Sequence, residues 1–498
     1  MKATRKDPAL QPVLRRMQLL FTELGPLVTL LTILIWILLL FRTMPVPFAD
    51  FGMFTTVADR LNSGDTLYVD VFENKDPFTH YMLAIVRRIS PIAAWPLHVA
   101  YLLLACLAIR AISRQLSASA RHATFLGMVC APIVLTGSMF GAGTSHMLGI
   151  AICLWIIALS MKKSPLAIGF LLGLLPFFKI VMLPIAVAIV ICDLCLMQSR
   201  RAATVKLLVG FISSVAVASA VVSVRGEFLP WLSALRWNAG YASALAPKSM
   251  FEAISFHLSS VLVPTSLLVL TAGVLLCLTS WALRKNGGDL TTNDQLVRLF
   301  VIASVSGIVG IIVVALTGLW PHHGLVFMIP VCLSLVLFSV TIRNQLRRMD
   351  GNVLLATGTA AILISGFPSA KLYLDPILYF QANAATYFTP SAEAELIMST
   401  GPATSYARVG SGDGLNHAFG LNDWKLSCPF FTQFTWESSE VLGETLDCLP
   451  NARVILVEAD LPRNTANPDW NDYVDAVDDL LKAEYTCRVV GGAQVCRK

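Results

Sequence analysis

Long apolar runs alternate with short polar segments along most of this chain, and the runs are of membrane-crossing length. A helix needs about 20 mostly apolar residues to cross the hydrocarbon core. Such runs occupy 24–41, 93–113, 122–141, 143–160, 204–224, 261–283, 297–318, 324–342 and 353–369. The stretch 165–198 is too long for one crossing and is interrupted by Pro176, Lys179 and Pro184. It reads as two segments, a short one to about 177 and one from about 180. The pattern predicts a polytopic α-helical membrane domain over 1–369 with about eleven spans. After residue 369 the chain turns polar, with acidic patches and many Gly, Asn and Asp residues. Strands are expected at 406–409 and 453–457, a helix over 468–482 and a strand over 485–490. That order predicts a small α/β domain over 370–498. Gly410, Gly412 and Gly414 follow the first strand without a Walker lysine or a clear helix, which favours a plain turn over a phosphate cradle.

Composition excludes a large soluble helical protein. Hydrophobic residues make up 56% of the 498 positions and charged residues 14%, against about 25% charged in ordinary soluble chains. Charge also orients the chain. Lys2, Arg5, Lys6, Arg15 and Arg16 open it, and later clusters are Arg110/Arg114/Arg121, Lys162/Lys163, Arg200/Arg201, Arg284/Lys285 and Arg343/Arg347/Arg348. Cationic loops stay in the cytoplasm. With an odd span count this leaves the loops 43–92, 225–257 and 319–323, and the domain 370–498, on the extracytoplasmic side. Arg87/Arg88 is the exception, and 78–90 reads as an interfacial helix whose arginines meet lipid phosphates. The net charge of +6 suits a bacterial inner-membrane protein and gives no case for a nucleic-acid partner. No clean cleavage site follows the first span, which reads as a signal anchor.

Four cysteines, Cys428, Cys448, Cys487 and Cys496, fall in the outer domain. An oxidising compartment favours up to two disulfides there, with three possible pairings. Proximity in sequence favours Cys428–Cys448 and Cys487–Cys496. The remaining cysteines sit in or beside spans as apolar filler, and none has zinc-ligand spacing.

The candidate chemistry lies in the first outward loop. Asp50, Asp59, Asp65, Asp70, Glu73 and Asp76 surround Lys75 directly after the first span. Ionisable groups at a membrane edge are costly unless they bind something. Asp50, between Phe48 and Phe51 at a helix end, is placed to act as a general base; a polar exit residue is the bland reading. Lys75 is a natural partner for a lipid-linked phosphate, whose departure its charge would stabilise; a surface charge balanced by Glu73 and Asp76 is the alternative. Asp59 and Arg60 are either part of this site or plain surface charges. Lys179, enclosed by Phe177, Phe178 and Ile180, either snorkels or pairs with an anion. His146 follows an outward turn and is either vestibular or packed. His322 and His323 follow Trp320-Pro321 before a late span; adjacent histidines point in different directions, so one at most faces a cavity with Lys75.

These residues resemble the motifs of polytopic GT-C glycosyltransferases, the class that includes the lipid A aminoarabinose transferase and the protein O-mannosyltransferases. The resemblance is carried by Asp50 soon after span one, Ala58-Asp59-Arg60-Leu61-Asn62-Ser63-Gly64, Leu67-Tyr68-Val69-Asp70, and Lys75-Asp76-Pro77 leading to Tyr81. Gly173-Leu174-Leu175-Pro176-Phe177-Phe178-Lys179 matches a Gly-Leu-x-x-x-x-Lys segment, and Trp320-Pro321-His322-His323 stands where an aromatic-His-Tyr segment precedes a late span. Two departures stand out: Asp76 replaces the first proline of Lys-Pro-Pro, and the turn after span three carries no carboxylate.

The resemblance implies an inverting transferase that moves a sugar from a polyprenyl-phosphate carrier to a cell-envelope glycan or glycolipid acceptor. Asp50 would be the catalytic base with Asp59 beside it, and Lys75 would stabilise the leaving phosphate. Arg60, Lys179, His322, His323 and Tyr81 would contact the donor lipid phosphate or sugar. No cofactor is required; a divalent cation occurs in the superfamily, but the sequence offers no dedicated metal site. The implied partners are the membrane lipid carrier and the glycan acceptor, with the enzyme acting as a monomer. The competing readings are a lipid-linked-saccharide transporter or flippase, which predicts internal repeats that the chain does not show, and a non-catalytic envelope scaffold.

Overall fold

The computed structural model describes residues 29–40, 50–116, 119–137, 145–197, 200–245, 290–316, 325–345, 405–410, 425–430, 433, 437–458, 461–464, 467–490 and 493–498. Among these, Ala94–Gln115, Pro165–Leu196, Arg200–Val224 and Asp294–Val314 are long and apolar enough to cross a membrane. Thr29–Leu40, Ala120–Thr136, His146–Met161 and Leu325–Thr341 are shorter apolar helices. The chain is a multi-pass helical membrane protein with a strand-containing C-terminal part. The spans expected at 261–283 and 353–369 lie outside the described residues.

In chain order the helices used below are α1 (Thr29–Leu40), α2 (Asp50–Asn62), α3 (Pro77–Ile89) and α4 (Ala94–Gln115). A bent segment follows, α5 (Ala120–Phe125) and α6 (Ala131–Gly137) joined by a π turn at Leu126–Cys130. Next come α7 (His146–Met161), α8 (Pro165–Lys179), α9 (Leu183–Leu196), α10 (Arg200–Val224), α11 (Phe228–Leu245), α12 (Leu290–Leu316) and α13 (Met328–Gln345). Their buried faces form one apolar core running from α4 through α7 and α9 to α13. Charge inside that core is paired, as the cost of burying it requires: Arg298 Nε on α12 lies 2.7 Å from Asp193 Oδ1 on α9.

The expected division of 165–198 is present. The apolar stretch Pro165–Leu196 breaks at Lys179, whose backbone (φ −165°, ψ 86°) leaves the helical region, and a 3-10 turn Ile180–Met182 precedes α9. Next to it, α8 and α10 touch along their backbones. Gly169 and Gly173 on α8 and Gly210 and Ser214 on α10 recur at four-residue spacing, the small-residue pattern of close membrane helix pairs. A Cβ on Gly169 would collide with the Leu207 carbonyl, and one on Gly210 with the Leu166 carbonyl. Gly169 faces Leu207 and Gly173 faces Phe211 and Ser214, so the two helices run in the same direction. The break at Lys179 and the end of α10 therefore emerge on one face, the face that carries the 63–76 loop.

The C-terminal part is a five-stranded sheet. Its strands are β1 (Ser405–Val409), β2 (Lys425–Leu426), β3 (Val454–Glu458), β4 (Thr486–Val490) and β5 (Ala493–Arg497), in the order β2-β1-β3-β5-β4. β2, β1 and β3 are parallel, with Ala407 opposite Ile455; β5 is antiparallel to both β3 and β4. Helices α14 (Ser439–Cys448) and α15 (Pro468–Glu484) cover one face, burying Trp470, Tyr473 and Val477 against Ala407, Val409 and Ile455. Both favoured disulfides are present: Cys428–Cys448 ties the segment after β2 to the end of α14, and Cys487–Cys496 joins directly opposed residues of the β4–β5 hairpin. This part docks on the loop face. The Phe72 amide donates to the Pro429 carbonyl at 2.9 Å, and the Phe72 and Phe430 rings lie 4.6 Å apart.

Candidate active site

The loop between α2 and α3 is a folded object. α2 buries Met53, Phe54, Val57, Ala58 and Leu61 at helical spacing and stops at Gly64. There φ is +103°, and the Gly64 and Asp65 amides donate back to Leu61 and Arg60. This is a Schellman end that a glycine accommodates without strain. Tyr68 also has positive φ, +65°, a costly conformation for a bulky residue. It is held by its buried ring, by its amide bond to Val71 and by its hydroxyl, which donates to the Lys75 carbonyl at 2.6 Å. Asp70 Oδ2 accepts from the Thr66 amide at 2.8 Å and tightens the same turn.

Glu73 is the centre of the loop. Its carboxylate accepts from the Lys75 amide at 2.7 Å, from Lys75 Nζ at 3.3 Å and is 3.0 Å from His80 Nε2. Burial alone would raise its pKa, but the charge of Lys75 and the bond to His80 outweigh it and hold the carboxyl at about 2. Lys75 Nζ also donates to Asn74 Oδ1 at 2.5 Å and lies 5.8 Å from the Phe54 ring centre. Asn238 of α11 donates to the Asn74 carbonyl. Lys75 is thus held by α2, α3, α11 and its own loop, with its ammonium partly open to solvent.

Pro77 opens α3 at the first helical position, which its ring favours. Asp76 precedes it at the N-cap but makes no side-chain bond to its own helix. Instead Asp76 Oδ2 accepts from the Ile180 amide at 3.0 Å, across the α8–α9 break. Thr79 Oγ1, one turn on, donates to the Phe178 carbonyl at 2.9 Å. Burial pushes the Asp76 carboxyl up to about 6 against the pull of the Lys179 ammonium, with Lys75 a smaller influence. Lys179 is itself buried and donates to Ser145 Oγ at 2.8 Å.

A third group joins the loop to α10. Glu227, fully buried, accepts from the Leu67 amide at 3.1 Å, from Arg225 Nε at 3.0 Å and from the Tyr81 hydroxyl. Arg225 also lies over the Tyr81 ring, 4.9 Å from its centre. Burial pushes the Glu227 carboxyl up to about 7, against the Leu67 amide bond.

The expected site residues divide accordingly. Lys75, Lys179 and Tyr81 converge on the loop face around the first turns of α3. Asp59 and Arg60 are engaged elsewhere: Arg87 makes a two-pronged ion pair with Asp59, 2.7 and 2.5 Å, and Arg60 Nε lies 2.6 Å from Asp65 Oδ2. The expectation that Arg87 meets lipid phosphates is corrected by its burial against Asp59. Arg88 and its exposed neighbours Ile85 and Ile89 remain on the open side of α3. Asp50 is the first residue of α2; its side chain, and His322 and His323, lie outside the described residues. His146 is buried at the start of α7. Glu227, Asp76 and Thr79 gained no role from the sequence, because each meets its partner through tertiary contact, and His80 gained none although Glu73 lies only seven residues before it. Among the described residues no three His, Cys, Asp or Glu side chains gather as a metal site.

This arrangement of helices and C-terminal sheet has a counterpart among solved membrane proteins. ArnT from Cupriavidus metallidurans, solved bound to undecaprenyl phosphate, superimposes with a TM-score of 0.56 over 94% of this chain and 97% of its own, at 13% identity. The oligosaccharyltransferase of Archaeoglobus fulgidus, solved with zinc and sulfate and in the apo form, gives a TM-score of 0.43 in both forms. Those two matches have 12% and 11% identity and cover 84% and 87% of this chain and 65% and 69% of that one. No family model matches the sequence, and no curated protein matches it.

Proposed function

We propose that the chain is an inverting glycosyltransferase that moves a sugar from a polyprenyl-phosphate carrier to a cell-envelope glycan or glycolipid on the extracytoplasmic side of the membrane. The observation that carries this reading is the pair of lysines around one buried carboxylate. Buried Asp76 follows Lys75 in the chain, and its Oδ2 accepts from the amide of Ile180, the residue after the buried Lys179, on the face of a fold shared with a protein solved on undecaprenyl phosphate. Two ammonium groups at a membrane edge suit a lipid phosphate, whose charge they would balance. Lys75 and Lys179 take that phosphate. Asp50, at the start of α2, removes the proton of the acceptor hydroxyl. The acceptor oxygen bonds to the anomeric carbon as the bond from that carbon to the phosphate oxygen breaks, and the electron pair leaves with the phosphate. One displacement inverts the anomeric centre. Asp59, committed to Arg87, ties α2 to α3, and Arg60, committed to Asp65, ties α2 to the loop that follows it. Tyr81 positions the loop through Glu227.

The test is single-turnover transfer from a panel of radiolabelled polyprenyl-phosphate sugars by the reconstituted protein. Lys75→Ala is expected to slow transfer about a hundredfold, the usual loss of one stabilising donor. Parental transfer by both Lys75→Ala and Asp50→Asn would remove these residues from the site, and no transfer by the parent from any sugar of the panel would favour a transporter.

A further inference from the structure

We propose that Asp76 and Thr79 are positioning residues, a clasp that holds the α8–α9 break in the shape that presents the Lys179 ammonium to the carrier phosphate. The inference rests on the reading of Lys179 as a phosphate ligand. A helix end leaves backbone donors and acceptors without partners, and Pro176 removes a further amide inside α8. At this break two backbone groups are served from another element: the Ile180 amide by Asp76 and the Phe178 carbonyl by Thr79. These bonds bracket Lys179 on both sides. An aspartate at an N-cap ordinarily accepts from its own helix; Asp76 instead supports a chain 104 residues away. The space for the lysine stem is also prepared. Gly149, one turn after Ser145 on α7, lies so close that a Cβ there would be 3.1 Å from Lys179 Cβ. The aspartate that replaces the first proline of Lys-Pro-Pro thus has a specific task, since a proline has no side chain to accept from Ile180.

Two readouts on the reconstituted full-length protein separate the parts of this proposal. The first is amide exchange in the 176–184 segment. Asp76→Ala should speed exchange at Ile180 about ten- to a hundredfold, the range a bond to a charged acceptor supports. Asp76→Asn, which keeps an acceptor oxygen, should leave it near parental. The second is binding of undecaprenyl monophosphate. Asp76→Ala and Thr79→Val should each weaken it about tenfold in the parent and cause no further loss in a Lys179→Met background, as coupled residues do. An equal loss in that background would overturn the proposal, because the residues would then act independently of Lys179. Weakened binding by Lys179→Met together with unaltered exchange in Asp76→Ala would overturn the clasp alone. Unchanged affinity in Lys179→Met would overturn the phosphate reading, and the proposal with it.

Discussion

Replacing Glu73 by Gln keeps the shape of the side chain and one acceptor oxygen but removes the charge that three donors share. In the parent that carboxyl is held at about 2, against an ordinary value of 4.5. A difference of that size corresponds to about 3 kcal/mol. Breaking one member of a buried charged cluster costs a similar amount, roughly 3–5 kcal/mol. Because the folded-state value is depressed, this stability is present above the unfolded value and is lost as pH falls through about 2. Glu73→Gln should therefore be about 3 kcal/mol less stable than the parent at neutral pH. The gap should narrow to roughly 1.5 kcal/mol by about pH 3, because the unfolded chain's carboxyl protonates there while the folded one stays mostly ionised. Equilibrium unfolding in mixed micelles across this pH range measures both quantities, and Glu73→Gln/Lys75→Met tests whether removing the lysine recovers part of the loss. Equal stability at neutral pH, or a gap that stays constant down to pH 3, would refute the account of Glu73 as the anchor of Lys75.

Glu227 should show the opposite pH dependence. Its carboxyl is pushed up to about 7, so its contribution is complete below the ordinary value and is lost as pH rises through about 7; Glu227→Gln should flatten the stability profile over that window. Gly210→Val forces a side chain into the Leu166 carbonyl and should cost at least about 1–3 kcal/mol, the usual range for overpacking, read as a lowered unfolding midpoint. Asp50→Asn should bind undecaprenyl monophosphate like the parent yet lose about 10²–10⁴-fold in single-turnover rate, while Asp59→Asn should act mainly on stability through Arg87; the reverse pattern would move the base. A reporter active only outside the cytoplasm, fused at the C-terminus, should be active, and reductant should shift gel mobility through Cys428–Cys448 and Cys487–Cys496.

Periodicity and composition were enough to read the membrane class, because a crossing needs about 20 mostly apolar residues in a row, longer than the run of an ordinary buried helix, and the chain has many such runs. They were also enough for the division of 165–198, since Lys179 is unfavourable in lipid and Pro176 removes a ladder bond just before it, although α8 runs on through Pro176 to Lys179. The strands at 405–409, 454–458 and 486–490 and the helix at 468–484 were legible within a residue or two. β2 and β5 were not: two residues carry no period, and β5 is recognisable only as the partner of β4. Proximity found the disulfides because Cys487 and Cys496 belong to one hairpin, where closeness in sequence and space coincide. The site followed a different logic. The sequence marked the loop, Lys75 and Lys179, since charge beside apolar runs is visible locally. It carried no sign that Asp59 is taken by Arg87, that Glu227 joins Leu67 across 160 residues, or that Asp76 caps Ile180. Those pairings depend on where α3 lies against α2, α8 and α10. That placement comes from glycine contacts and helix packing, which make a residue's partner a property of the assembled bundle and not of its neighbours in the chain.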